Sequence, residues 1–440
     1  MPSLLIRNAR IAQADGTAYE GDLYCDRGVI ERIDRRLTLA ADETIDAAGK
    51  LLLPGVIDSH VHFREPGKEY KEDLASGSRA AARGGVTSFL EMPNTSPATT
   101  DQATLSDKLA RAAKSSVVNY GFFIGATPTN LDSLNAAGPA CGIKIFMGCS
   151  TGDLLVHKQE DLERIFANGT RIIGVHAEDE ERLHQRRAQY ADRTDAAVHS
   201  EIRDNQSAAI ATARALALAK KYRRRLHILH LSTREEVEIL RRDKPAWVRA
   251  EAIPNHLLLN VGDYAKQGAR VQMNPPLRTV ADNEALWAAL KDGIVDFMGT
   301  DHAPHTLEEK DRGYPETPSG MPGVETALPL MLTQMRAGRC TLAHIQKWMC
   351  YGPAEAYRIT NKGRIELGFD ADLTLVDLDA ARPVRNDELY TKAKWSPYAG
   401  WELIGWPLYT VVGGRVVYDR GTIRPNVHGQ ALKFSEPRGA

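Results

Sequence analysis

The chain has 440 residues, enough to bury a large core and to form two or three domains, although an α/β barrel takes more than about 200 residues as one domain. Its 56 Lys+Arg balance 57 Asp+Glu, which argues against a nucleic-acid or membrane-surface role, because such roles need a basic excess. No run of about 18 apolar residues is present, so no transmembrane helix is expected, and the opening MPSLLIRNARIAQADG lacks the apolar stretch and cleavage site of a secretory leader.

Residues 3–54 read as short β-rich runs (LLIRNARI, DLYCDRGVIERID, ETIDAAGKLLLPG) broken by Gly and Asp turns. From residue 55 apolar runs alternate with helix-like segments. The runs predict strands at GVIDSHVHF (55–63), VTSFLEM (86–92), VVNYGFFIG (117–125), GIKIFMG (142–148), RIIGVHA (171–177), LHILHLS (226–232), VRAEAI (248–253) and IVDFMGT (294–300). Helical periodicity lies between them in KEDLASGSRAAARGG, QEDLERIFANG, SAAIATARALALAKKY and NEALWAALKDG. Strands and helices in this alternation predict a parallel sheet buried on both faces, most economically closed into a (β/α)8 TIM-type barrel over 55–362. The run Arg223-Arg224-Arg225 reads as a solvated helix end. β-rich material returns in ADLTLVDLD (371–379) and LYTVVGGRVVYDRG (408–421), which predicts a small β-sandwich domain built from both termini, 1–54 and 363–440. Beyond Arg424 the polar, Pro- and Gly-bearing stretch is expected to wrap the surface or fray. Cys25, Cys141, Cys149, Cys340 and Cys350 are scattered and form no CxxC pair, so they read as the reduced thiols of a cytoplasmic protein.

The strongest chemical signal is His60-Val61-His62 at the end of the first barrel strand, where side chains at i and i+2 share a face. Alone, HxH is weak. The other strand ends change its weight, because the fourth carries Lys144, the fifth His176, the sixth His230, and the eighth leads into Asp301. A (β/α)8 barrel gathers the C-terminal ends of its strands around one mouth. Imidazoles and a carboxylate there suit zinc, and six donors exceed one tetrahedral ion, which favours two metals bridged by hydroxide. An ammonium is a poor ligand, but a lysine carbamate formed with CO2 offers two oxygens that can bridge two cations. Arg64, two residues beyond His62, should face the same mouth and offer a bidentate partner to a carboxylate. Asn94, His305, Asn274 and the Met321-Pro322-Gly323 backbone are further candidates to bind a substrate at this mouth.

HVHFREPG (60–67), EMPNT (91–95), HAED (176–179), HLS (230–232), MNPPLR (273–278), GTDHAPH (299–305) and SGMPGVET (319–326) together resemble the dihydroorotases of the amidohydrolase superfamily. GRIELGFDADLTLVD (363–377) and the closing GGRVVYDRG resemble that family's terminal β domain, so the likeness spans nearly the whole chain. The resemblance implies zinc held by His60, His62, Lys144 and Asp301 at one site and by Lys144, His176 and His230 at the other, with Lys144 carboxylated and bridging. Asp301 is implied as the catalytic proton shuttle. The implied reaction is the reversible hydrolysis of L-dihydroorotate to N-carbamoyl-L-aspartate in pyrimidine biosynthesis, by a cytoplasmic homo-oligomer, a dimer or tetramer, with no nucleic-acid or membrane partner. Arg64 favours this anionic substrate: allantoinases carry Asn at its position, and dihydropyrimidinases lack the FREPG run. The chain departs from many relatives at Pro254-Asn255-His256, where they have two successive histidines. Two rivals stay open: a hydantoinase- or allantoinase-type enzyme acting on a neutral ring, and a non-catalytic homologue that scaffolds a carbamoyltransferase.

Blander roles weigh against each residue. His176 or His230 alone can be a core histidine, Arg64 can pair with Glu65 or Glu69, and Asp301 can cap a turn. An unmodified Lys144 charge between Ile143 and Ile145 is costly. His157, His184, His199, His227, His256, His344 and His428 share no strand-end logic and read as surface or packing residues, with His302 packed behind Asp301. KWSPYAGWELIGW (394–406) reads as packing between the barrel and the β domain, and Ser150–His157 or Leu307–Pro318 as the loop that closes over substrate.

Overall fold

The structure, a computed structural model, describes residues 2–148 and 154–435. Cys149 and the Ser150–Asp153 part of one candidate closing loop lie outside the described residues. The N-terminal strands are β1 (Leu4–Ala12), β2 (Ala18–Asp26), β3 (Val29–Asp34), β4 (Glu43–Asp46) and β5 (Leu51–Pro54). The middle of the chain holds β6 (Val56–Val61), β7 (Val86–Glu91), β8 (Asn119–Gly125), β9 (Gly142–Phe146), β10 (Ile173–His176), β11 (Leu226–Ile228), β12 (Val248–Ala252) and β13 (Phe297–Met298). The C-terminal part adds β14 (Leu373–Asp377), β15 (Arg382–Pro383), β16 (Glu402–Leu403), β17 (Trp406–Val412), β18 (Arg415–Asp419) and β19 (Thr422–Ile423).

Strands β6 to β13 form an eight-stranded parallel sheet in chain order, so each connection must return along the outside. Closure between its ends comes from residues just past β13. The His62 N–H donates to the His302 carbonyl at 2.8 Å, and Thr300 donates from its backbone N and Oγ1 to the Asp58 carboxylate at 3.1 and 2.6 Å. This is the expected TIM-type barrel. Two of its strands are shorter than their apolar runs, β11 ending at Ile228 and β13 spanning Phe297–Met298. The cause lies in the backbone: His230 and Asp301 take φ of +35° and +48°, which no strand accommodates. Both are ligand candidates, and strain at such positions is a usual companion of function.

The helices Leu74–Arg83, Gln159–Ala167, Asn205–Lys221 and Val280–Lys291 cover the segments with helical periodicity. Asp73, Asp204 and Thr279 cap three of them by accepting the N–H of Ser76, Ser207 and Asp282.

The terminal strands form a nine-stranded sheet in the order β19-β18-β17-β14-β5-β1-β2-β3, with β4 also on β1; β15 and β16 pair separately. Its β2–β3 end turns back on β14: Ile30 N–H donates to the Phe369 carbonyl at 2.9 Å and Ala371 N–H to that of Gly28 at 2.8 Å. The sheet therefore rolls over one core that includes Leu4, Ile11, Leu23, Ile30, Leu52, Leu373 and Val411. Thr374 and Thr410 dock it on the barrel through the Gly85 and Ala82 carbonyls at 2.7 and 2.6 Å.

Residues 425–435 wrap the surface of the barrel. Gly429 N–H donates to the Ser116 carbonyl at 2.9 Å and Leu432 N–H to that of Tyr120 at 2.8 Å, so this stretch packs on the barrel beside β8. The Arg223-Arg224-Arg225 run corrects another expectation. Arg223 at φ +49° turns the chain out of the preceding helix, and Arg224 is buried, not solvated. The aromatic segment packs, as expected, but against the barrel-mouth loops: Trp395 Nε1 donates to the His305 carbonyl at 2.8 Å, and Trp395 and Tyr398 share a core with Met273 and Met321. No helix among the described residues is long and apolar enough to cross a membrane.

Candidate active site

Three ligand candidates meet at the end of β6. His60 Nε2 and His62 Nε2 lie 3.2 and 3.0 Å from Asp301 Oδ1. The far side of each imidazole fixes what this side presents. His60 Nδ1 is 2.9 Å from Glu251 Oε1, and His62 Nδ1 is 2.7 Å from Asn94 Oδ1. Both partners are acceptors, so each Nδ1 carries a proton and each Nε2 is the nitrogen turned towards Asp301. Burial pushes the His62 pKa down to about 4 against the pull of Asp301, so the ring is neutral. Two ring nitrogens and a carboxylate oxygen thus converge on one point, and a cation fits that arrangement.

A second pair stands alongside, with the His60 and His230 ring centroids 5.3 Å apart. His176 Nε2 is 2.7 Å from Glu178 Oε2, and Glu178 is held in turn by Arg203 Nε at 3.1 Å. His176 therefore offers its bare Nδ1 to His230 Nε2 at 3.0 Å, while His230 Nδ1 is buried without a hydrogen-bond partner among the described residues. Burial pushes both histidines below their ordinary pKa, so the pair shares at most one proton in that gap or takes a metal there.

Lys144, on β9, is 1 % exposed. Among the described residues no carboxylate lies within ion-pair distance of it, and its Nζ sits 4.6 Å from the Phe146 ring centroid. Burial lowers its pKa to about 7, opposed by Asp301 and Glu251. Its field lowers the pKa of His176 and His230 and also that of Asp301, so Lys144 acts on both ligand groups. A neutral amine is the form that adds to CO2, and this burial favours it.

These residues open on one cavity of about 420 Å³, lined also by Arg64, Lys68, Lys71, Asn94, Asn274, His305 and the loop Pro318, Ser319 and Gly320. Arg64 is 8 % exposed and makes neither of the ion pairs considered for it: Glu65 accepts from Leu74 N–H and Arg111, and Glu69 from Gly67 N–H. Its Nε donates to the Pro304 carbonyl at 3.1 Å. Its Nη2 lies 3.2 Å from His305 Nε2, but that nitrogen also lies 3.1 Å from the Ser319 carbonyl, and His305 Nδ1 lies 2.9 Å from Lys71 Nζ. In the neutral ring Nδ1 accepts from Lys71 and Nε2–H donates to Ser319, which leaves Arg64 Nη2 without an acceptor. Asn274 has Oδ1 2.9 Å from His199 Nε2, so its NH2 group is the part left for a ligand.

The structure brings His60, His62, Lys144, His176, His230, Asp301, Arg64, Asn94, Asn274 and His305 to one cavity. Two expected residues are elsewhere. Pro322 and Gly323 do not line it, because Gly323 N–H is engaged with His302 Nδ1 at 3.0 Å, and the loop presents Pro318 to Gly320 instead. Asn94 differs from expectation in what it contacts, since its amide oxygen orients His62. His227 is buried beside the same carboxylate that holds His60, its Nε2 3.5 Å from Glu251 Oε2. Sequence reading missed Glu251, Glu178, Lys68 and Lys71. The signal for the first was an acid inside the apolar run VRAEAI, and for the second the acid two residues past His176.

A model of the amidohydrolase family matches residues 51–417. Over its whole length the chain is 37% identical to a dihydroorotase of Methanosarcina mazei, covering 99% of that protein. It is 35% identical to one of Pyrococcus abyssi, with 95% of this chain and 96% of that one aligned. Among solved structures, an L-hydantoinase (dihydropyrimidinase) from Arthrobacter aurescens superposes with a TM-score of 0.93 at 30% identity, covering 98% of this chain and all (100%) of that one. A dihydropyrimidinase from Brevibacillus agri gives 0.91 at 26% identity over 99% and 100% of the two chains. The barrel with its ligand-bearing mouth is that of a hydrolase, and the chain belongs to the amidohydrolase family.

Proposed function

We propose that this chain acts as a dihydroorotase, interconverting L-dihydroorotate and N-carbamoyl-L-aspartate for pyrimidine synthesis in the cytoplasm. One observation carries the choice of substrate: a buried guanidinium, Arg64, faces the ligand-bearing cavity with no carboxylate partner among the described residues. Burial lowers its pKa to about 10, so it stays cationic at neutral pH. A buried cation of this kind calls for an anion, and a neutral hydantoin ring does not bring one.

His60, His62 and Asp301 would hold one zinc ion and His176 and His230 a second, with Lys144 as its carbamate reaching both. Bound there, the ions supply Lewis acidity at the scissile carbonyl and lower the pKa of water at the site. Arg64 takes the substrate carboxylate as a charge-assisted pair and so fixes the ring's orientation. The Asn274 NH2 group donates to the ring amide. Asp301 accepts the proton of the attacking water; as the bond between the ring carbonyl carbon and its nitrogen breaks, Asp301 returns that proton to the nitrogen. Hydroxyl ends on the carbon, giving a carboxylic acid that ionises. In the direction of ring closure the same groups act in reverse.

Likeness to the hydantoinase structures favours the second reading, a neutral-ring hydrolase. Turnover of L-dihydroorotate, hydantoin and allantoin by one zinc-loaded sample separates the two. Dihydroorotate should be preferred by kcat/KM, and faster hydantoin hydrolysis would overturn the assignment.

A further inference from the structure

His305 stands between two cations and can accept from only one of them. Its Nδ1 lies 2.9 Å from Lys71 Nζ, and its Nε2 lies 3.2 Å from Arg64 Nη2 and 3.1 Å from the Ser319 carbonyl. The ring has little freedom to avoid the choice. It is buried, and Trp395 Nε1 holds the His305 carbonyl at 2.8 Å. Burial, with Arg64 and Lys71 adding to it, keeps the His305 pKa well below its ordinary value, so the ring is neutral and carries one N–H.

Each position of that proton has a different consequence. With Nε2–H, the ring donates to Ser319 and accepts from Lys71, and Arg64 Nη2 is left for a ligand. With Nδ1–H, a ring hydrogen faces the Lys71 ammonium, and the bare Nε2 takes a hydrogen bond from Arg64. Lys71 decides between the two because an ammonium only donates. It is buried, which lowers its pKa, and its ion pair with Glu309 Oε1 at 2.8 Å opposes that and holds the charge in place. Glu309 is itself fixed, accepting from the Tyr70 hydroxyl at 3.0 Å and the Thr306 N–H at 3.2 Å. Its Oε2 lies 3.7 Å from His305 Nδ1, so without Lys71 a carboxylate is at hand to draw the proton onto that nitrogen.

We propose that Lys71 is a positioning residue that sets substrate specificity: by donating to His305 Nδ1 it fixes the Nε2–H tautomer and keeps the Arg64 fork free for the substrate carboxylate. The consequence for substrate rests on the dihydroorotase reading above, and the tautomer does not. Lys71 needs no contact with the substrate for this role. Arg64 keeps its charge in either tautomer, and what changes is whether one arm of its fork is already engaged inside the protein.

Two measurements on the zinc-loaded enzyme test this. The first is the 15N NMR spectrum of histidine-labelled protein at neutral pH, with His305 assigned by the signals missing from His305→Gln. Wild type should show His305 protonated on Nε2, and Lys71→Met should show it protonated on Nδ1. The second is turnover. Lys71→Met should lower kcat/KM for dihydroorotate about tenfold, mainly through KM, because the carboxylate is held alike in the bound substrate and the transition state. Hydantoin turnover should change little, and in the Arg64→Ala background Lys71→Met should bring no further loss. A packing role for Lys71 would instead slow both substrates and add to the effect of Arg64→Ala. Nδ1–H in wild type, an unchanged tautomer in Lys71→Met, or an additive loss overturns the proposal. If Lys71→Met does not fold, the wild-type spectrum decides alone. If wild type does not turn over dihydroorotate, the functional reading fails, and the two spectra still decide whether Lys71 sets the tautomer.

Discussion

Glu251 Oε1 lies 2.9 Å from His60 Nδ1, and this contact decides which nitrogen of His60 faces the cavity. The same carboxylate accepts from Ser59 Oγ at 2.7 Å and from the His230 backbone N–H at 3.3 Å, so one buried acid ties a ligand candidate from β6 to the turn that carries a ligand candidate after β11. Replacing it by glutamine keeps the shape but removes the charge and lets an NH2 group face the ring. Glu251→Gln should stay folded and lose zinc affinity by about 10- to 100-fold, the usual effect of losing a group that orients a ligand. Competition with a chromogenic chelator measures this, and unchanged affinity would show that His60 is oriented without Glu251.

Arg64 gives the specificity test. Arg64→Ala should lower kcat/KM for dihydroorotate about 10- to 100-fold, from the loss of a charge-assisted pair worth about 1.5–3 kcal/mol. Hydantoin turnover should change little, and the zinc content not at all. Loss of metal with unaltered discrimination would mean that Arg64 shapes the site and does not read the substrate.

Lys144 makes a chemical prediction. Enzyme loaded with zinc in 13C-bicarbonate should give a carbamate carbon signal in the NMR spectrum. Lys144→Gln should abolish it and lower the zinc content from two ions towards about one per chain, since a bridging group serves both sites. A wild-type enzyme that binds two ions without the signal would leave Lys144 as a plain buried amine.

How much of this was readable beforehand depends on whether a property is local. Parallel strands buried on both faces are apolar throughout, so the eight runs stood out, and i, i+2 geometry aligned His60 with His62. The positive φ of His230 and Asp301 was not readable, since neither residue type demands it, and both strands were therefore drawn too long. Glu251 and Glu178 were missed because an acid among apolar residues looks like an interruption until the neighbouring strands place a histidine against it. The place of Pro322 and Gly323 off the cavity lining was hidden for a similar reason. His302 captures the Gly323 N–H, and Gly320 at φ +137° turns the preceding residues towards the cavity, neither of which shows in a linear motif. Arg224 looked solvated because a run of three arginines after a helix usually is.

Beneath the mouth, Lys108 and Glu91 form a fully buried ion pair at 2.9 Å. Lys108 Nζ also donates to the Met92 carbonyl at 3.0 Å, and Glu91 Oε1 accepts the Phe63 N–H at 3.0 Å, between His62 and Arg64. Removing one partner leaves a buried charge, so Lys108→Met should destabilise the fold by about 3–5 kcal/mol, and a double change with Glu91→Gln should recover a large part of that. Denaturant unfolding checks both. Equal losses in the single and double variants would mean that Lys108 contributes through packing alone.

His256 sets a pH dependence separate from the metal site. It is buried with Nε2 3.0 Å from the Pro275 carbonyl, and burial pushes its pKa down to about 4. Unfolded, the ring titrates near the ordinary value of about 6.5. Between these values the unfolded chain binds the extra proton and the folded chain does not, so His256 contributes full stability above about pH 6.5 and loses it as pH falls towards 4. At about 1.4 kcal/mol per pH unit, the loss from pH 6.5 to pH 5 is about 2 kcal/mol. His256→Gln keeps a donor for Pro275 and has nothing to titrate. Relative to wild type it should therefore gain about 2 kcal/mol between pH 7.5 and pH 5, whatever its stability at pH 7.5. The difference between the two proteins isolates this histidine from the buried carboxyls of Asp58 and Glu325, whose pKa values burial raises to about 7 and about 6 and whose contributions run the opposite way. Parallel stability–pH curves for the two proteins would mean that His256 titrates with the same pKa in the folded and the unfolded chain.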